Sequence, residues 1–314
     1  MVEVQFWWNG ETIIVKNKKQ FDWELLRLSD EVKNKNLSRN QGALVFTRFI
    51  NKRMPMEDSS CDVEKLKHLD QKGYVKLDNL FSKVELQEII DVLSTKDVCN
   101  QHVPPGQKKF KIENSDNRFN SYFLEDILKC PHLLKACLEK EVVDLAQSYL
   151  GCVPTLYSIN VYWMLKNFTG CSEGPDIISG IQKFHRDYDD YKFLCFFVYL
   201  TDVDDNSAPH LFIEGSHLTE GYSYDINKVK KFIGPMGTTV AEDTYGFHSG
   251  GSGAKELKND RLVLWFRFGL HKNSPTLAQL PRPFHKSKVN CDGINFDEKT
   301  KFITRFCIDH GSYK

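Results

Sequence analysis

The sequence has no surplus of charge of either sign. Lys plus Arg and Asp plus Glu number 42 each among 314 residues. That balance argues against a nucleic-acid partner, which would call for a basic surplus. Long apolar runs are also missing. The longest, Phe193 to Leu200, has eight residues, far short of the ~20 that cross a bilayer as a helix, so no membrane partner is expected. The opening segment, MVEVQFWWNGE, lacks a basic stretch followed by an apolar one, and no secretory leader is expected. The nine cysteines include no C-x-x-C pair. Their odd number and scattered spacing exclude a zinc ribbon or a cysteine-bound cluster and fit reduced thiols in a cytoplasmic setting.

What is present is an ordinary globular composition, with 41% hydrophobic and 27% charged residues. Aromatic residues make up 12%, which suits a β-rich core. Asn9-Gly10 between two β-prone runs predicts a hairpin. Residues 16–60 are polar and charge-dense, with apolar patches at Trp23–Leu28 and Ala43–Ile50. From residue 62 the pattern reads as a helix, a stop at Gly73, a strand at Tyr74–Leu77, and a helix opened by the capping box Ser82/Glu85. Residues 95–120 read as a loop around Pro104-Pro105-Gly106, and Pro131–Leu150 as one helix. The second half changes character. The runs 155–165, 192–200, 237–242 and 261–268 are β-branched and aromatic, separated by Gly, Pro, Asn and Asp clusters. Together these predict an α+β chain, mainly β: a jelly-roll (double-stranded β-helix, cupin-like) core with N-terminal helices on one sheet.

The chemistry-bearing segment is FHRDYDDYKFLCFFVYL, opening at Phe184. On an extended chain His185 and Asp187 point to one side. An imidazole and a carboxylate converging there are two-thirds of a facial triad, which binds non-haem Fe(II) and leaves positions open. The third ligand is sought among His210, His217, His248, His271, His285 and His310. His248 is favoured, because it ends a strand just before a Gly-rich turn. A second H-x-D, His68-Leu69-Asp70, lies in a predicted helix. There i and i+2 diverge, so it is read as surface.

These residues, with the Glu214–His217 turn EGSH, Arg261 thirteen residues beyond His248, and the opening segment 69–93, resemble the phytanoyl-CoA dioxygenase family. The family belongs to the Fe(II)- and 2-oxoglutarate-dependent oxygenases. The resemblance implies a domain over residues 61–270; residues 1–60 are read separately as an accessory N-terminal region and 271–314 as a C-terminal extension packed on the same domain. It implies that His185, Asp187 and His248 hold iron and that Arg261 anchors the distal carboxylate of 2-oxoglutarate. Ser249 and Tyr199 would complete the cosubstrate pocket, and Arg267, on the face of Arg261, would be a second arginine of the site. The expected cofactors are Fe(II), 2-oxoglutarate and O₂. The expected reaction is oxygenation, in the form of hydroxylation of a small organic molecule with release of succinate and CO₂.

Two other readings are open on sequence: a non-catalytic jelly-roll binding module, and a metal-dependent cupin-type enzyme that does not use 2-oxoglutarate. Arg261 separates them, since neither needs a cosubstrate anchor. Substrate identity and oligomeric state are not legible. Loops 100–120, 167–181 and 218–233 are expected to shape the substrate pocket. The bland readings of neighbouring residues are a loop role for His210, a turn role for His217, and solvated loop acids at Asp189, Asp190, Asp202, Asp204 and Asp205. Arg267 could equally be a salt-bridge partner on the sheet face.

Overall fold

Clusters of turn residues cut the second half of the chain into short β-branched and aromatic runs, and in a computed structural model these runs become strands. The structure describes residues 3–8, 11–16, 20–57, 59–100, 109–115, 118–166, 184–250, 257–270, 294, 296–305, 307, 308 and 310. The elements through the first half are β1 (Glu3–Trp8), β2 (Glu11–Lys16), α1 (Gln20–Asn34), α2 (Arg39–Arg53), α3 (Val63–Lys72), β3 (Tyr74–Leu77), α4 (Lys83–Ser94), β4 (Val98–Asn100), β5 (Phe119–Tyr122), α5 (Leu124–Lys129), α6 (Leu133–Cys137) and α7 (Lys140–Leu150). There follow β6 (Thr155–Met164), β7 (Phe193–Tyr199), β8 (His210–Ile213), β9 (Val229–Phe232), β10 (Thr239–Glu242), β11 (His248–Ser249), β12 (Arg261–Gly269) and α8 (Glu298–Thr304).

Seven strands form an antiparallel sheet in the order β3-β10-β7-β12-β6-β5-β4, and β11, β8 and β9 form a smaller sheet in the order β11-β8-β9. His185 joins the smaller sheet through an antiparallel bridge to His248. From β6 onward the chain visits the large, small, large, small, small, large, small and large sheet in turn. That alternation is the double-stranded β-helix expected from the sequence.

Strand alternation gives the large sheet two different faces. Outward, Leu156, Ile159, Val161, Leu194, Phe196, Val198, Leu264, Phe266 and Phe268 are buried under the helices in one core. Inward, Tyr162, Met164, Phe197, Tyr199, Val240, Val263 and Trp265 meet Phe212 and Phe232 of the smaller sheet. The helices therefore cover one face and leave the other to face the smaller sheet. Val32 of α1, Ala43, Phe46 and Ile50 of α2, and Phe302 and Ile303 of α8 belong to the same outer core.

Several local expectations are met. Asp62 caps α3 and Gly73 ends it with φ 87°, a left-handed conformation that suits glycine. Both halves of the Ser82/Glu85 capping box form at the start of α4. β1 and β2 pair antiparallel, while the Asn9-Gly10 turn lies outside the described residues. Other expectations need correction. The charge-dense stretch 16–60 contains two 15-residue helices. The supposed loop 95–120 contains β4 and begins β5, which extend the large sheet at its edge. The single helix 131–150 is two, α6 and α7. At 100° per residue a straight helix would put the buried Leu133, Leu134 and Cys137 roughly 105°, nearly a third of a turn, from Val142, Leu145 and Tyr149. The break at Leu138–Glu139 lets both sets face the core.

Among the described residues no helix is long and apolar enough to cross a membrane. The seven described cysteines are free thiols; Cys171 and Cys291 lie outside the described residues.

Candidate active site

His185 and His248 are fixed by backbone before any side chain acts. His185 N donates to His248 O (3.0 Å) and His248 N donates to His185 O (2.9 Å). Two residues on, Asp187 N donates to Thr244 O (2.8 Å). The two segments thus lie side by side, and the ligand atoms of His185, Asp187 and His248 come within 4.8 Å of one another. His248 Nδ1 donates to Gly246 O (3.0 Å), which sets the tautomer and leaves the Nε2 lone pair facing Asp187 Oδ2, 3.6 Å away. Burial holds the His248 imidazole down at about 4, against the pull of Asp187, so at neutral pH it is an unprotonated donor. Burial would raise the Asp187 carboxyl, but Arg267, His248 and His185 more than offset that and hold it at about 2. Two imidazole nitrogens and one carboxylate gathered in this way suit a divalent metal held by one face.

Arg267 is the counter-charge of this set. Its Nη2 donates to Asp187 Oδ2 (2.8 Å), its Nη1 donates to Asp189, and its guanidinium lies 4.4 Å over the Trp265 ring. Tyr157 OH donates to Asp189 Oδ2 (3.0 Å). Asp189 is therefore a buried member of the network and not the solvated acid expected from sequence. Asp190 is buried as well, whereas Asp205 is exposed.

A second buried pair lies beside the triad. His210 Nε2 is 2.9 and 3.1 Å from the Glu242 carboxylate oxygens, and its ring is 5.7 Å from that of His248. The expectation of a loop role for His210 fails: it opens β8 and is 4% exposed. Burial lifts Glu242 to about 8 and depresses His210 to about 3. Both shifts favour the neutral forms, so the pair is a neutral hydrogen bond in which the carboxyl O–H donates to Nε2. The sign for stability follows. A carboxyl raised on folding contributes fully below its ordinary value near 4.5 and loses that contribution as pH rises through about 8. Metal-free protein is expected to lose stability between pH 5 and 8.5, and Glu242→Gln to flatten that loss by roughly 4 kcal/mol, at about 1.4 kcal/mol per pKa unit. Denaturant midpoints of both proteins at the two pH values check this. An unchanged slope in the variant would place the titration elsewhere.

Farther along the strands, between the two sheets, sits Arg261. It is 1% exposed, and its guanidinium donates to Ala208 O and to Gly250 O. Those acceptors are neutral, and among the described residues no carboxylate pairs with it. Ala208 lies two residues before His210 and Gly250 two after His248, which puts the guanidinium roughly 6–7 Å along the strands from those rings. Phe119, Met164 and Arg261 align across β5, β6 and β12, and Arg118 precedes that row. Arg118 Nε and Nη2 are buried without hydrogen-bond partners, as is Arg261 Nε. Burial, and then Arg261, lower the proton affinity of Arg118. The two guanidinium groups thus lie near enough to repel each other, with no ion-pair partner among the described residues.

Of the remaining expected site residues, Tyr199 is buried on the inner face, and its OH donates to Phe232 O (2.7 Å). Ser249 is buried in β11 opposite Leu211, one residue from His248 and so on the alternate face. His217 sits in a turn with Nε2 donating to Asp70 O (3.0 Å), as expected, and His68 is exposed on α3. His271, His285 and loop 167–181 lie outside the described residues. Sequence reasoning missed Arg118 and Glu242. Arg118 was hidden in an apparent loop. Glu242 did leave a signal, since it shares a strand face with Val240.

No protein-family model and no curated protein matches this chain. Solved structures do. HygX from Streptomyces hygroscopicus, crystallised with nickel and 2-oxoglutarate bound, is 16% identical, with 66% of this chain and 87% of its own covered and a TM-score of 0.47. SnoK, a non-heme alpha-ketoglutarate-dependent carbocyclase of nogalamycin biosynthesis, is 14% identical over 72% of this chain and 94% of its own, with a TM-score of 0.47. EctD from S. alaskensis, with 2-oxoglutarate and 5-hydroxyectoine, is 16% identical over 68% and 78%, with a TM-score of 0.46. At these values none of them carries weight on what this chain binds, which rests on its own residues.

Proposed function

We propose that the chain is an Fe(II)- and 2-oxoglutarate-dependent dioxygenase that hydroxylates a small organic substrate, with residues 61–270 as its catalytic domain. One observation carries the reading. Arg261 is buried and charged, and among the described residues it is met by two carbonyls and the Tyr162 phenol with no carboxylate beside it, in the same space between the sheets as His185, Asp187 and His248. A buried guanidinium without an anion is costly. An anion of about the length between Arg261 and the triad removes that cost, and a dicarboxylate able to chelate a metal at its other end fits both ends at once.

On this reading His185, Asp187 and His248 hold Fe(II). When bound, iron, 2-oxoglutarate and O₂ supply the oxidation: the keto acid loses CO₂ to become succinate, which keeps one oxygen atom, and the other goes to the substrate. The chain's own residues place and shield. Arg267 keeps Asp187 ionised and aimed. Gly246 O keeps the donor nitrogen of His248 bare. Arg261 and Arg118 neutralise the distal carboxylate. Tyr199, Phe197 and Trp265 wall the cavity from water. We place Tyr199 and Ser249 in the shell around the cosubstrate, both acting through the residues they position.

Anaerobic titration tests the proposal. Fe(II) followed by 2-oxoglutarate should give a weak visible charge-transfer band that saturates with the keto acid. Metal binding without such a band would replace this reading by that of a metal enzyme with no need of 2-oxoglutarate. No metal binding at all would leave a binding module.

A further inference from the structure

The turn that carries the metal set is itself held from outside the barrel. Asp243 follows β10, and four features lock it. Its N donates to Gly73 O (2.9 Å), and its own O accepts from Gly246 N (2.8 Å). Its Oδ1 accepts from Tyr245 N (3.0 Å), and its Oδ2 accepts from Tyr149 OH (2.6 Å). Among the described residues the cation in ion-pair contact with this carboxylate is Arg39, the first residue of α2. Arg39 Nη2 is 3.0 and 3.2 Å from the two oxygens, with side-chain exposures of 17% and 1% for the arginine and the aspartate. The guanidinium also lies 3.9 Å over the Tyr245 ring. Two carbonyls of this same turn fix the candidate ligands, Thr244 O taking Asp187 N and Gly246 O taking His248 Nδ1.

We propose that Arg39 is a positioning residue for the metal centre: helix α2 clamps the 243–246 turn through Asp243 and thereby sets the spacing of Asp187 and His248. The inference rests on the reading that His185, Asp187 and His248 hold a metal. It gives the N-terminal segment, otherwise without a role, a part in the chemistry. The helix is built to deliver Arg39 accurately. Ser38 and Gln41 form a complete capping box around its first turn. Gly42, one turn in, lies so close to Tyr191 that a Cβ there would be 2.4 Å from the ring, so α2 has little room to slide. Removing the guanidinium leaves a buried carboxylate whose remaining partners are one phenol and one amide. The turn must then reorganise, and both ligand-fixing carbonyls move with it. Metal sites tolerate little of this, because groups that orient ligands are worth 10- to 100-fold in affinity.

The test uses the full chain, metal-free, titrated with Co(II). Arg39→Met keeps the stem and removes the charge. It should weaken Co(II) binding 10- to 100-fold and alter the Co(II) d–d spectrum, while half-saturation by 2-oxoglutarate at saturating metal changes less than threefold. Asp243→Asn keeps the acceptor for Tyr245 N and should show the same loss. The double variant should be little worse than either single one, as expected for two members of one contact. All titrations are run well below each variant's unfolding midpoint, and a variant that does not fold leaves the other to decide. Arg39→Met or Asp243→Asn that melts lower yet binds Co(II) with wild-type affinity and spectrum would reduce the pair to a structural tie and overturn the proposal. A wild type that binds no Co(II) would instead sink the metal reading itself, and the clamp with it.

Discussion

Arg261→Ala is expected to raise the 2-oxoglutarate concentration for half-saturation by roughly 30- to 1000-fold, the equivalent of about 2–4 kcal/mol for a lost charge-assisted contact. Fe(II) affinity should stay within threefold of wild type. The expectation follows from where the charge sits. Arg261 is buried against Ala208 O and Gly250 O, and Asp260, its neighbour in sequence, accepts instead from Lys166 N (2.7 Å). Arg267→Ala should do the reverse. Arg267 does not reach toward the cosubstrate end; it holds Asp187 and Asp189. Its loss should weaken metal binding by about 10- to 100-fold and destabilise the fold by roughly 3–5 kcal/mol by leaving buried carboxylates unpaired. Isothermal titration of metal and of 2-oxoglutarate into each variant separates the two arginines. If Arg261→Ala binds 2-oxoglutarate as wild type does, the anion pocket has been assigned to the wrong residues.

His248→Ala is expected to remove measurable Fe(II) binding, a loss of more than about 100-fold, and with it all succinate formation. The variant should still fold. Deleting the ring forfeits one hydrogen bond, to Gly246 O, and some packing against His185 and His210, a cost of about 1–3 kcal/mol. Far-ultraviolet circular dichroism should be unchanged while metal content falls to background. His68→Ala, the same change in the exposed H-x-D of α3, should alter neither. Retained stoichiometric iron in His248→Ala would remove His248 from the ligand set.

How much of this could be read from the residues follows from how local the signals are. Strands β6, β7 and β12 announce themselves as β-branched and aromatic runs because each buries both faces, one under helices and one between the two sheets. His185 and Asp187 are legible because their spacing alone, on an extended chain, makes them converge. The helices α1 and α2 were not legible. Among the described residues their charged side chains are largely solvated, and Val32, Ala43, Phe46 and Ile50 are widely spaced marks of the buried stripe. The partners of buried charges were equally hidden. Nothing near Asp189 in sequence indicates that Arg267 will cover it, and nothing near Arg39 indicates Asp243, because those meetings are made by tertiary topology. His210 was misjudged for the same reason. A histidine after Pro209 reads as a loop residue until β9 and β11 pair on either side of β8.

The bridge between His185 and His248 has a consequence for how the molecule comes apart. Two backbone hydrogen bonds, an isolated bridge outside the named strands, close a loop of roughly sixty residues between His185 and His248. A metal spanning them cross-links that loop, and a clip across a long loop removes entropy chiefly from the open chain. In apo protein this seam should be the first to part, exchanging the amide hydrogens of His185, Asp187 and His248 with solvent ahead of those of β7 and β12. Loaded protein would have to shed its ion before the seam could open, so opening of the seam and release of the ion would share one rate.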